Sequence, residues 1–256
     1  MAHSHDPFQS PKQRLSRAND HIRRLHKRIE TFIKKAPCHR VIELDTDGVT
    51  KLHKFKFIKR IPDSCTHSAA EALEALRSVL DQIGYAAAIA SGKVAPKKTQ
   101  FPIGDDVDGL ADVINRKVSN DLPDEILALF VSFKPYKGGN DPVWALNKLR
   151  NATHTTLIPV ALASGGMFVS NAVLRGSAEI LNPIIWDSGK NEIVFARVPP
   201  GGELNYNVHF AFKVALGEID LVARHQVVAV LRTMATVVKS ILMATEAECR
   251  RLGFIK

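Results

Sequence analysis

An apolar stripe with helical spacing opens the chain. Ser10-Pro11 supplies a capping residue and a proline at the first helical position, and Pro37 ends the segment. We therefore predict a helix over 11–35 whose apolar face packs on a core while its other faces carry cations. The apolar positions are Leu15, Ala18, Ile22, Leu25, Ile29 and Phe32.

The next segment has the alternating pattern of a β-hairpin. Strands over 40–45 and 51–61 flank an Asp47-Gly48 turn signal. Because side chains of a strand alternate between its two faces, the phenylalanines of the second strand should face a core and its lysines should face water. These positions are Phe55 and Phe57, and Lys54 and Lys56.

Helical repeats and strand-like runs are segregated in the rest of the chain, which predicts an α+β fold. After the amphipathic N-terminal helix and the β-hairpin (together 11–61), a helical block covers 67–154, with a capping box at Ser68-Ala-Ala-Glu71. Apolar runs between Gly- and Pro-rich turns predict an antiparallel β-meander over 157–216, and a long C-terminal helix follows over 220–252. We expect 1–10 to be a flexible N-terminus and 11–256 to be a single domain.

Composition narrows the class of protein. A hydrophobic fraction of 45% and a charged fraction of 24% are those of an ordinary globular chain. The first residues lack an apolar run, and the longest apolar stretch, 227–244, is interrupted by Arg232 and Lys239, so we expect no membrane span. Three cysteines without a CxxC pair argue against a disulfide framework or a zinc site, which favours a cytoplasmic protein with reduced thiols.

The positive charge is confined to the start of the chain. Residues 1–60 hold fifteen Lys or Arg and six Asp or Glu, which equals the whole net charge of +9, whereas the remainder is balanced. Such regional charge favours an anionic partner such as an RNA or DNA backbone, against the plainer alternative of a solvated face. The candidate binding residues are Arg17, Arg23, Arg24, Lys27, Arg28, Lys54, Lys56 and Arg60.

Arg150-Asn151-Ala-Thr-His154 is the sharpest candidate for catalysis. Residues four apart lie on one helix face, where a guanidinium could hold a phosphate and an imidazole could move a proton. The alternative is structural: Arg150 pairs with a carboxylate and His154 caps a carbonyl group. The string resembles the Arg-Asn…His signature of the HEPN superfamily, though with a shorter gap. That resemblance implies a metal-independent ribonuclease with Arg150 and Asn151 at the phosphate and His154 as the acid–base group.

A second resemblance covers roughly residues 40–155. Its motifs are Leu76–Tyr85, Phe101-Pro102-Ile103 and Trp144 to His154, and they look like those of a group of uncharacterised bacterial α+β proteins. The resemblance implies a bacterial origin and a fold but no activity.

Two functions from different classes follow. The preferred one is a non-catalytic protein that binds an anionic partner through its basic N-terminal face, and the other is a divergent HEPN-like ribonuclease; whether the protein is an enzyme stays open. The chain has no GxGxxG, P-loop, HExxH or GxSxG motif, so we expect no cofactor and no metal. The stripes of the first and last helices predict that both pack on one core or on a symmetry mate, which would make a homo-oligomer.

Overall fold

The α+β architecture is confirmed. A computed structural model describes residues 6–35, 38–59, 61–116, 119–155, 160–187, 190, 192–216 and 226–256. Its elements are α1 (Gln9–Lys34), β1 (Cys38–Leu44), β2 (Lys51–Phe57), α2 (Asp63–Ala90), α3 (Val107–Asn115), α4 (Asp124–Ser132), α5 (Asp141–Thr155), β3 (Val160–Arg175), β4 (Glu179–Asp187), β5 (Glu192–Val198), β6 (Glu203–Leu216) and α6 (Val227–Arg251).

Contacts group the chain into two compact units. Unit 1 contains residues 1–27, 63–161 and 214–256, and unit 2 contains residues 28–62 and 162–213. The single domain expected over 11–256 stays a prediction.

Unit 1 is built around α2, which packs against α5 and α6. The first part of α1 lies antiparallel to α2, because Ser10 contacts Gln82 and His21 contacts Glu71. A loop that contains Thr99 packs closely on α2. A Cβ atom on Gly84 of α2 would lie only 2.0 Å from the carbonyl oxygen of Thr99, so the close approach of that loop requires glycine.

Two helices begin earlier than the capping patterns predict. The carboxylate of Asp6 accepts the backbone N–H of Phe8 at 2.9 Å, and α1 starts at Gln9, so Ser10 lies within the first turn. Phe8 is fully buried, and that burial anchors the start of the helix. In α2 the start is Asp63, where an acidic side chain favours the N-terminal end, and Ser68 is a buried residue within the helix.

Unit 2 contains an antiparallel four-stranded sheet in the order β1-β2-β5-β4, while β3 pairs with β6. The strands of the 157–216 segment are therefore present, but β5 joins the N-terminal hairpin instead of pairing only with its neighbours in the chain. One face of the sheet carries an aromatic core, which includes Phe55 and Phe57 as predicted. The pairing of β2 with β5 shifts register between His53 and Lys54.

The last helix, α6, is long and apolar enough to cross a membrane by length and composition alone. Its stripe is nevertheless buried, and α6 packs against α2, α4 and α5. The predicted apolar face of α1 is confirmed, since all six of its positions are buried. On α6 the buried face is displaced from the predicted one: Ile241 is fully buried, but Val230 and Val237 are half-buried while Leu231 and Val238 are buried.

Candidate anion-binding cleft

A row of basic residues runs along one flank of α1. Arg14, Arg17, His21 and Arg24 are separated by three, four and three residues, which places them on one side of the helix next to its buried stripe. Arg17 and Arg24 were predicted as binding residues from their charge, whereas Arg14 and His21 were not. The three-four spacing of these four residues is the signal that would have found the row.

The row borders a cleft of about 470 Å³ between α1 and α2, within unit 1. Side chains of α1 supply basic groups to its walls, and side chains of α2 supply carboxylates. The lining residues are Arg14, Arg17, His21, Ala70, Glu71, Glu74 and Ala75.

The imidazole of His21 has two neighbours that compete for one atom. Its Nδ1 lies 2.8 Å from an oxygen of Glu71 and 3.1 Å from Nη2 of Arg24. When Nδ1 carries a hydrogen it donates to Glu71, and when it does not it accepts from Arg24. The hydrogen on this nitrogen therefore decides whether the guanidinium of Arg24 is bonded to the wall of the cleft.

Arg14 and Arg17 have no acidic partner among the residues that the structure describes. The buried Nε of Arg14 also finds no hydrogen-bond acceptor within that part of the chain. A buried N–H without an acceptor is costly, because the group has lost water and gained nothing in exchange.

The predicted catalytic residue Arg150 adjoins this cleft through Glu74. Its Nε donates to Glu74 at 3.0 Å, and its Nη1 lies 3.4 Å from Oδ1 of Asn151, which is exposed. Arg150 therefore forms the carboxylate pair that the structural alternative predicts, whereas a role for it in catalysis stays a prediction. Since Glu74 also lines the cleft, Arg150 lies next to one of its lining residues. His154 lies on the last turn of α5, and its side chain is outside the described part of the chain.

The remaining cations predicted on α1 differ in their surroundings. Arg23 is exposed and donates to Asp20 one turn earlier on the same helix. Lys27 and Arg28 are exposed. Arg60 lies outside the described residues. Among the cations predicted on α1, Arg17 is the one that lines the cleft.

Lys54 does not face water, so that expectation is wrong. Its side chain is 8% exposed, and its ammonium group donates to Glu192 at 2.9 Å and to Glu43 at 3.1 Å. The register shift before Lys54 places it among buried neighbours, with Glu192 itself 3% exposed. Burial acts to lower the pKa of Lys54, but the hydrogen bonds to Glu192 and Glu43 outweigh it and raise that pKa. Lys56 is half-buried and pairs with Glu43.

No cluster of three metal-ligating side chains occurs within the described segments. Cys38, Cys65 and Cys249 are free thiols. The chemistry of the cleft is that of guanidinium, imidazole and carboxylate groups.

Comparison with known proteins adds no relative: no protein-family model, no curated protein and no solved structure matches the chain. The resemblances to the HEPN superfamily and to the uncharacterised bacterial group stay predictions, and what bears on function is the geometry of the cleft.

Proposed function

We propose that the chain is a non-catalytic binding protein whose α1 row and adjoining cleft hold an anionic partner, an RNA or DNA backbone, in the cytoplasm. The observation that carries the proposal is the pair of guanidinium groups of Arg14 and Arg17, which stand at the cleft without an acidic partner among the described residues. Guanidinium presents several N–H donors in one plane and binds phosphate through paired hydrogen bonds. The regional charge of residues 1–60 would attract the same partner over a longer distance.

The spacing of the row suits an extended polyanion. Arg17 and Arg24 are seven residues apart on α1, which is about 10 Å along a helix axis. One strand of B-form DNA carries a phosphate about every 3.4 Å of its axis, so the row would follow about three of them. No base-reading aromatic pattern accompanies the cations in the sequence, so binding should depend on the backbone and on salt.

The carboxylates of the cleft need not repel this partner. Glu71 lies against His21, and Glu74 is held by Arg150. The two carboxylates balance Arg14 and Arg17 in the lining, and Arg150 beside Glu74 and Arg24 beside His21 add positive charge, which favours an anion.

The test is the salt dependence of binding to a fluorescent single-stranded RNA, measured by anisotropy. Replacing Arg17 and Arg24 together by glutamine should weaken binding roughly tenfold and make the slope of log affinity against log salt shallower by about 1.4, or about 0.7 for each lost contact. The matched control is Arg23→Gln, which removes an arginine of the same helix that is already paired with Asp20. The control should bind nearly as the wild type does.

Two results would refute the proposal. If the protein does not bind the RNA at low salt, a nucleic-acid backbone is not its partner. If net charge alone mattered, the one charge lost in Arg23→Gln would cost half of the log affinity that the double variant loses. A control loss of that size or more would therefore mean that net charge matters and the row does not.

A metal-independent ribonuclease is the second candidate function, because Arg150 pairs with Glu74 and Glu74 lines the same cleft. In this reading a phosphate would displace Glu74 from Arg150, Asn151 would assist, and His154 would move the proton. Activity should persist in chelator and leave a 2′,3′-cyclic phosphate. Purified wild type, Arg150→Ala and His154→Ala are incubated with a mixed RNA pool. If only the wild type cleaves the RNA, catalysis by Arg150 and His154 is supported. If none of the three proteins cleaves it, only the binding function remains.

A further inference from the structure

Unit 2 contains a second basic concavity, distinct from the cleft of unit 1. It is a pocket of about 250 Å³ on the sheet, where β1 and β2 meet the turn that leads into β6. The charged and titratable residues of its lining are Arg40, Lys51, His53 and Glu203.

A buried histidine–tyrosine pair lies at this pocket. Nδ1 of His53 is 2.8 Å from the hydroxyl of Tyr206, and the two residues are 2% and 7% exposed. The ring of Phe195 packs edge-on against both. When the tyrosine hydroxyl donates to Nδ1, the hydrogen of the neutral imidazole is on Nε2, which leaves that nitrogen as a donor.

The two cations of the pocket have no acidic partner within the described residues. The guanidinium of Arg40 lies 4.8 Å from the ring centroid of Tyr206, so an aromatic face holds it in place of a carboxylate. Lys51 is exposed on β2, and neither cation forms an ion pair with Glu203, the one acid among the lining residues. The negative charge of Glu203 disfavours an anion, but the two positive charges of Arg40 and Lys51 exceed it.

These neighbours keep His53 neutral. Burial lowers the pKa of His53 first, and the charges of Arg40 and Lys51 lower it further. Burial also raises the pKa of Tyr206 to about 12, so the hydroxyl keeps its hydrogen at neutral pH. Charged or titratable groups that face His53 come from β1 (Arg40), β2 (Lys51) and β6 (Glu203 and Tyr206), whereas β5 contributes the apolar Phe195 and Ala196.

We propose that this pocket binds a compact oxyanion, a phosphate group, with Arg40 and Lys51 as its cations and His53 as a donor that gains a proton on binding. An anion between the two cations offsets the field that disfavours the imidazolium form. Protonated His53 would then donate through Nδ1–H to the tyrosine oxygen and through Nε2–H to the ligand. Because binding and protonation are linked, each must strengthen the other by the same factor.

The experiment follows the imidazole signals of the full-length protein by NMR between about pH 5.5 and 8. The probes are inorganic phosphate, glycerol phosphate and sulfate. Sulfate keeps its charge over this range, so any pH dependence of its affinity comes from the protein.

The His53 signal is identified by its loss in His53→Gln. We expect all three anions to raise the pKa of His53. Sulfate should bind more weakly as pH rises, and that dependence should be lost in His53→Gln. Glycerol phosphate binding as phosphate does would indicate a ligand that carries the group as an ester, whereas exclusion of the ester would indicate the free ion.

Two charge variants test whether the anion binds at this pocket and not elsewhere on the sheet. Arg40→Gln should weaken phosphate binding about tenfold or more, as expected when a charge-assisted hydrogen bond is lost. Lys51→Gln, at an exposed site, serves the same purpose if Arg40→Gln does not fold. Arg197→Gln is the control, because Arg197 lies on the same sheet, is 46% exposed, pairs with Asp45 and does not line the pocket. No shift of the His53 signal with any anion, or an equal loss of affinity in Arg197→Gln, would overturn the proposal. This proposal does not depend on the α1 row, because that row lies in unit 1 and the pocket lies in unit 2. If the α1 row fails to bind RNA, the anion titrations of His53 keep the same meaning.

Discussion

The buried ion pair of Lys54 and Glu192 allows a quantitative prediction for unit 2. Lys54→Met keeps the length of the side chain and removes its charge. Glu192, which is 3% exposed, would then have Lys56 at 3.8 Å in place of an ammonium group at 2.9 Å. Removing one partner of a buried pair leaves an uncompensated charge and costs about 3–5 kcal/mol of unfolding free energy.

The reciprocal substitution and the double variant separate the charge from the packing. Glu192→Gln leaves Lys54 with Glu43, which is partly exposed, so we expect about 3 kcal/mol, at the lower end of the same range. The double variant has no buried charge left at this site and should lose only about 1–2 kcal/mol, because an uncharged replacement of a buried pair is often nearly neutral. The double variant should therefore be more stable than either single variant.

Urea unfolding followed by tryptophan fluorescence measures these differences. The chain has two tryptophans, Trp144 in unit 1 and Trp186 in unit 2, so a Trp144→Phe background makes the signal specific for unit 2. Arg197→Gln is the control for loss of an exposed ion pair and should change stability by less than about 1 kcal/mol. If Lys54→Met costs no more than this control, or if the two single effects add in the double variant, the buried pair does not stabilise the sheet as its geometry implies.

Three further predictions concern packing and titration. Leu25→Ala and Ile241→Ala should each cost roughly 2–5 kcal/mol, because both side chains are fully buried; an unchanged melting temperature would contradict this. Gly84→Ala should cost about 1–3 kcal/mol or more, measured by urea unfolding, because its Cβ would overlap the carbonyl oxygen of Thr99; a neutral result would mean that the loop can move away. The pKa of His53 is lowered by burial, so the unfolded chain binds a proton that the folded chain rejects. The stability of unit 2 should therefore decline as pH falls below about 6.5, and the pH dependence should be smaller in His53→Gln.

Local patterns predicted the elements well because their causes are local. The stripe of α1 reflects one buried face, and periodicity records such a face directly. Phe55 and Phe57 are buried as their alternation predicts, although the other side of β2 is buried as well. The starts of α1 and α2 were less accurate, since Ser10 and Ser68 have the composition of caps but lie inside helices that begin earlier.

The partners of the candidate residues could not be predicted in the same way. Glu74 is 76 residues from Arg150 in the chain, and no pattern in either segment specifies their contact. Lys54 occupies a water-facing position by strict alternation, but the register shift and the addition of β5 beside β2 bury it against Glu192. Which cations remain available to a ligand is thus a property of tertiary pairing, whereas the total charge is a property of sequence.

The single nitrogen shared by Glu71 and Arg24 gives the α1 row two discrete arrangements. With hydrogen on Nδ1 of His21, the imidazole bonds to Glu71 and the guanidinium of Arg24 is released; with hydrogen on the other ring nitrogen, Arg24 is bonded and Glu71 is released. An anion that engages Arg24 therefore selects one tautomer of a histidine it need not touch. Occupancy of the row would be readable from the nitrogen chemical shifts of His21, with no label on the partner.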